Sequence, residues 1–202
     1  MRRVIVYVDG FNLSYGRKER YGNRYLWLDL RKLGLHLLRP DQVLVTVRYF
    51  TARVRDDPEK FAQQRAYLGA LRCQPGIDII FGRFQAKKVR CRCCGSEWTS
   101  HEEKKTDVSI AVALLEDGIA DRFDTAILVS ADSDLCPAVQ ALGRQRPEAR
   151  MIAAFPPARH SEELRMSCQA AFTLGEANLR QSQLPQVVER DSATYARPAA
   201  WK

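Results

Sequence analysis

Val4-Ile5-Val6-Tyr7-Val8-Asp9 is an unbroken apolar run closed by an acid. Apolar residues at every position of so short a run predict a central strand buried on both faces, as in a parallel sheet. Gly10 lets the backbone turn directly after it. An acid placed straight after such a strand has little structural purpose. In an open parallel sheet the carboxyl ends of the strands form the crevice where ligands bind, and Asp9 marks that edge.

The same grammar recurs along the chain. Residues 125–129 are a second predicted strand, with the apolar run Ala126-Ile127-Leu128-Val129, followed by Ser130-Ala131 and then Asp132 and Asp134. Residues 43–50 alternate Val43, Val45, Val47 and Tyr49 against polar or smaller neighbours, a strand pattern. Further strands are predicted at 77–84 and 150–155, with a short edge strand at 171–174. Between them helical spacing predicts helices over 26–38, 58–72, 106–120, 135–144 and 161–168. Thr106 is the expected N-cap of the third of these. Val108, Ala111, Val112, Leu115 and Ile119 are its expected buried stripe. Strands alternating with helices imply right-handed crossovers and a parallel sheet covered on both faces. The fold class is therefore α/β, a three-layer α/β/α Rossmann-like sandwich with a mostly parallel sheet of about five strands.

The chain has 202 residues, enough for one domain with a real core. That domain is expected over 1–178, with a basic, cysteine-containing insertion at 85–104. A polar, mobile tail is expected over 179–202. No apolar stretch approaches the roughly 20 residues of a membrane span, and the apolar start is too short for a secretory core. The expectation is a cytoplasmic protein with no membrane partner. Basic residues number 32 against 24 acidic, a net charge of +8. That excess favours a polyanionic partner, since neutralised phosphates release counterions.

Carboxylates crowded at one sheet edge repel each other, so a cation should hold them. Hard divalent ions prefer carboxylate oxygens and water. Such ions polarise phosphoryl oxygens and lower the pKa of bound water. Asp107 sits near a predicted helix N-terminus, where the dipole favours a negative charge. N-capping is the competing structural reading for Asp107 and Asp134. His36, His101 and His160 are scattered, and no serine sits in a triad pattern. No glycine-rich phosphate loop is present.

Three motifs carry a family resemblance. Val8-Asp9-Gly10-Phe11-Asn12-Leu13 resembles the first motif of the NYN domain family, the LabA-like branch of the PIN-type nucleases. Glu103-Lys104-Lys105-Thr106-Asp107-Val108 resembles the middle motif, and Ser130-Ala131-Asp132-Ser133-Asp134-Leu135 the third. The resemblance runs from residue 1 to about 175. It implies a PIN-like sandwich whose clustered aspartates bind Mg²⁺ or Mn²⁺ and cut RNA. Asp9, Asp107, Asp132 and Asp134 would be metal ligands and catalytic groups, with Asn12 and Ser130 as polar supports. The expected function is a metal-dependent ribonuclease hydrolysing RNA phosphodiester bonds with divalent-metal-activated water. The alternative is an RNA-binding or regulatory module that retains the pocket and cuts poorly.

Cys91-Arg92-Cys93-Cys94-Gly95 contains one C-x₂-C, half of a zinc knuckle. Cys91, Cys94 and His101 are candidate ligands of a structural Zn²⁺. A partner chain could complete the half-knuckle, which makes a homodimer an expectation. In the competing reading the loop is metal-free, and Lys87, Lys88, Arg90 and Arg92 bind RNA. Lys104 and Lys105, beside Asp107, join that basic nucleic-acid-binding set.

Overall fold

The computed structural model describes residues 1–54, 57–90 and 93–201, with the side chains of 83–89 and 98–104 outside that description. The first half of the chain contains β1 (Arg2–Asp9), α1 (Gly10–Tyr21), α2 (Leu30–His36), β2 (Gln42–Thr51), α3 (Pro58–Arg72) and β3 (Ile77–Phe81). There follow β4 (Arg83–Arg90), β5 (Glu97–Lys104), α4 (Thr106–Ile119), β6 (Thr125–Val129), a 3₁₀ turn at Ser133–Leu135 and α5 (Cys136–Gln145). The last elements are β7 (Arg150–Phe155), α6 (Glu162–Ser167), β8 (Ala170–Thr173), α7 (Glu176–Gln181), β9 (Val187–Arg190) and β10 (Ala193–Ala196).

Six of these strands form one parallel sheet in the order β3-β2-β1-β6-β7-β8. The strand order reverses between β1 and β6, so Asp9 and Ser130 stand at the topological switch point where such sheets bind ligands. Alternation along β1 divides the core. Val4, Val6 and Val8 join α1, α2 and α3 on one face, while Ile5 and Tyr7 join α4 and α5 on the other. The result is the expected three-layer sandwich. β2 carries a bulge, with Val4 opposite Leu44 but Ile5 opposite Thr46. The extra residue inverts the inward parity of the strand. Val43 and Val45 are consequently exposed, while Leu44, Val47 and Tyr49 point inward.

Several expectations need correcting. Gly10 to Tyr21 is a helix, although two glycines and a run of charged residues conceal its period. Gly10 is small for packing, because a Cβ there would lie 2.5 Å from the Phe50 carbonyl oxygen. The α4 stripe is out of phase. Ile110, Leu114 and Asp117 face the sheet, while Val108, Val112 and Ile119 are exposed. The cap position of α4 is Lys105, in a left-handed conformation with φ 79°, and Thr106 is its first buried turn. The 77–84 strand stops at Phe81, and most of the expected insertion is the antiparallel hairpin β4-β5.

The expected mobile tail is instead docked. β9 and β10 pair as a hairpin, and Leu184 and Val188 are buried in the core. Trp201 packs edge-on against Trp27 and Tyr67, at centroid distances of 6.1 and 5.8 Å. Sparse aromatic anchors suffice here because each buries a large apolar area. Among the described residues no helix is long and apolar enough to cross a membrane.

Candidate metal centre

Asp9 ends β1 and, contrary to the expectation that an acid there has little structural purpose, caps α1. Its Oδ1 accepts the backbone N–H groups of Phe11 and Asn12 at 3.1 and 3.0 Å. Its Oδ2 accepts the Ser130 hydroxyl at 2.9 Å. The Ser130 oxygen in turn accepts the Asp132 N–H at 3.1 Å. Asn12 crosses from α1 to accept the Ala131 N–H at 3.1 Å. These bonds lace the start of α1 to the end of β6. Ser130 thus links the Asp9 carboxylate to the Asp132 backbone, and Asn12 fixes the Ala131 backbone beside it.

One carboxylate oxygen each from Asp9, Asp107 and Asp132 lie within 4.8 Å of one another. β1, the N-terminus of α4 and the turn after β6 each contribute one. They line a cleft of about 170 Å³ with Phe11, Asn12, Tyr15 and Arg159. Asp9 is 3% exposed. Burial pushes its carboxyl above the usual range, the N–H of Asn12 and the hydroxyl of Ser130 pull it back, and the charge of Asp132 raises it again. A carboxylate trio with a buried member is the donor set a hard divalent cation takes. The cluster is compatible with such an ion.

Asp134 is not part of the trio. It is exposed, and its backbone N–H is held by Asp132 Oδ1 at 3.0 Å, so its position closes the 3₁₀ turn and its side chain faces outward. Lys105 is exposed beside Asp107. Arg90, also exposed, lies 3.9 Å from Glu97 across the hairpin. Cys91 and Arg92 lie outside the described residues, as do the side chains of Lys87, Lys88, His101 and Lys104. Cys94 is exposed, with Sγ 3.0 Å from the Ser96 hydroxyl.

Three residues of the cleft escape a reading of sequence motifs. Phe11 and Tyr15 stack one turn apart on α1, with centroids 6.3 Å apart and planes at 29°. Tyr15 is 60% exposed, which offers a flat aromatic surface at the mouth of the cleft. Arg159 follows the carboxyl end of β7 and pairs with Glu19 of α1 at 2.9 Å. Its position after a strand end was the available signal, since that edge is where functional loops gather.

A family model described as the NYN domain matches residues 3–175. Among curated proteins, the chain is 25% identical over 240 residues to 6-hydroxy-3-succinoylpyridine 3-monooxygenase HspA of Pseudomonas putida (strain DSM 28022 / S16), covering 98% of this chain and 75% of that one. Among solved structures, it is similar to a protein of unknown function from Vibrio parahaemolyticus RIMD 2210633. That match has a TM-score of 0.59 at 18% identity, over 91% of this chain and 96% of that chain. This last likeness speaks for the fold alone.

Proposed function

This chain belongs to the NYN domain family, and from that premise we propose that it is a divalent-metal-dependent ribonuclease. The domain is PIN-like and of nuclease type. The observation that carries the finer reading is the convergence of Asp9, Asp107 and Asp132 from three remote segments. Asp9, Asp107 and Asp132 would hold Mg²⁺ or Mn²⁺. When bound, such an ion neutralises phosphoryl charge and acidifies water.

The chain's own residues account for the rest. Ser130 and the first N–H groups of α1 fix both oxygens of Asp9, so the carboxylate is oriented before any ligand arrives. Asn12 locks the Ala131 backbone and with it the approach of Asp132. Tyr15 and Phe11 present rings on which an unpaired base can stack. Arg159 brings a guanidinium to a cleft whose other charged lining residues are aspartates, where it would hold a phosphate that flanks the scissile bond. Lys105, exposed two residues before Asp107, would add a cation for the RNA backbone beside the trio. The setting proposed for this chemistry is the cytoplasm.

The test is cleavage of a labelled single-stranded RNA by purified protein with Mn²⁺. Wild type should cut, EDTA should stop it, and the Asp9→Asn, Asp132→Asn double variant should fall to background. Undiminished cutting by the double variant would mean a contaminating nuclease and defeat the assignment. RNA binding without turnover under any divalent metal would favour the non-cutting module instead. The curated relative's name describes oxygenation of a substituted pyridine, a different reaction class, and at 25% identity that activity is not carried over to this chain.

A further inference from the structure

A second cavity, of about 470 Å³, opens beside α1 on the face of the sheet away from α4. The volume is within the range of small-molecule sites. Aromatic rings form part of its wall, among polar and charged side chains. Tyr49 and Tyr67 stand at a 6.4 Å centroid distance, and Trp201 of the docked tail closes over Tyr67. The Trp201 indole is fixed by a 3.1 Å bond from Nε1 to Gln63 Oε1. The Tyr67 hydroxyl is committed to the Leu28 carbonyl at 2.8 Å. These bonds fix the rings in the cavity wall.

Arg17 also lines this cavity, and it is 7% exposed. Its Nη1 donates to the Tyr25 carbonyl at 2.9 Å and its Nη2 reaches the Ser14 hydroxyl at 3.4 Å. Its buried Nε has no hydrogen-bond partner. Among the described residues no carboxylate pairs with it. Burial pulls the guanidinium pKa below its ordinary value. A buried ion normally has a counter-ion, because desolvation without one costs several kcal/mol. Here neutral oxygens fill two positions and the charge stays uncompensated.

We propose that this cavity is a binding site for a planar aromatic anion, its ring held between Tyr49, Tyr67 and Trp201 and its charge paired with Arg17. Aromatic walls favour a flat ring by offset or edge contacts. A guanidinium whose buried Nε–H lacks a partner has donor capacity left for a carboxylate or phosphate. Lys18 at the exposed rim favours approach of a negative ligand; Lys60 is paired with Asp57 at 2.8 Å, and Glu59 on the same rim opposes an anion, so Arg17 is the cation on which the site depends. None of these residues belongs to the aspartate trio, so the site does not depend on the metal reading.

Two sources share this chemistry, nucleotides and free aromatic acids, and both are titrated into the full chain in EDTA by calorimetry. The probes are adenosine 5′-monophosphate against adenosine, and 4-hydroxybenzoate against 4-hydroxybenzamide. At least one anion should bind saturably and at least tenfold tighter than its neutral partner. A response to the nucleotide alone, or to the aromatic acid alone, supports the site and names its source. Arg17→Met should level charged and neutral ligands, and Trp201→Ala should weaken both. The wild-type ratio decides the matter if Arg17→Met fails to fold. No saturable binding of either anion up to millimolar concentration, or equal binding of charged and neutral partners, overturns the proposal. The Asp9→Asn, Asp132→Asn variant should keep full affinity.

Discussion

Two aspartates on the same face of the sheet are almost fully withdrawn from solvent, Asp9 at 3% exposure and Asp117 at 0%, and their surroundings are opposite. Asp117 on α4 is saturated. It accepts the Tyr7 hydroxyl at 2.7 Å, Arg48 at 2.6 Å and Arg122 at 2.8 Å. It joins β1, β2 and α4 through a neutralised charge. Asp9 has dipoles and a hydroxyl for company, with two further acids across a cleft. The first arrangement is finished, whereas the second gains if a cation enters. Burial alone does not tell a structural acid from a functional one; the sign of its neighbours does.

The comparison breaks most severely at Asp117. Asp117→Ala should cost about 3–5 kcal/mol of unfolding free energy, the usual result of leaving half of a buried ion pair behind. Denaturant titration reads this directly, and a loss under 1 kcal/mol would show that the knot carries little of the fold. Asp9→Asn should behave in the contrary way, with metal-free stability kept or improved. A hundredfold excess of Mn²⁺ over its dissociation constant should stabilise wild type by about 2.7 kcal/mol. The variant should lose most of that gain in a thermal melt. An equal shift in both proteins would place the ion elsewhere.

The smallest effect is in pH. Burial raises the Asp9 carboxyl in the folded state, so the native protein keeps that proton to higher pH than the unfolded chain does. Stability from this group therefore falls as pH climbs from the unfolded carboxylate value, about 3.9, through the raised native one. The slope is at most about 1.4 kcal/mol per pH unit. Metal-free wild type should show this decline relative to Asp9→Asn, and excess Mn²⁺ should flatten it.

How far the sequence could be read depended on whether partners were near in sequence or distant. Val4–Val8 of β1 and Ala126–Val129 of β6 are unbroken apolar runs, which forced both the sheet and its carboxyl edge, so Asp9 and Asp132 were legible, while Asp107 was read from its motif at a helix start. Asp134 has the same local context as Asp132 but points outward, a difference of one step around a 3₁₀ turn. Helix α4 has apolar residues on more than one face. Its period fixed a helix without saying which stripe was inward, and the burial of Asp117 follows from Tyr7 and Arg48, 110 and 69 positions away. Arg17 and Trp201 were illegible for the same reason, since the cavity they share exists once the tail has folded back across α3.

Asp9 serves simultaneously as the last residue of a strand and the first acceptor for a helix. An alanine at that position would discharge the site and also strip two N–H groups of their acceptor, fraying the turn on which Phe11 and Asn12 ride. A silent alanine enzyme would thus confound lost charge with a loosened scaffold. Asparagine keeps an oxygen for the cap, so it is the substitution from which a chemical role can be read.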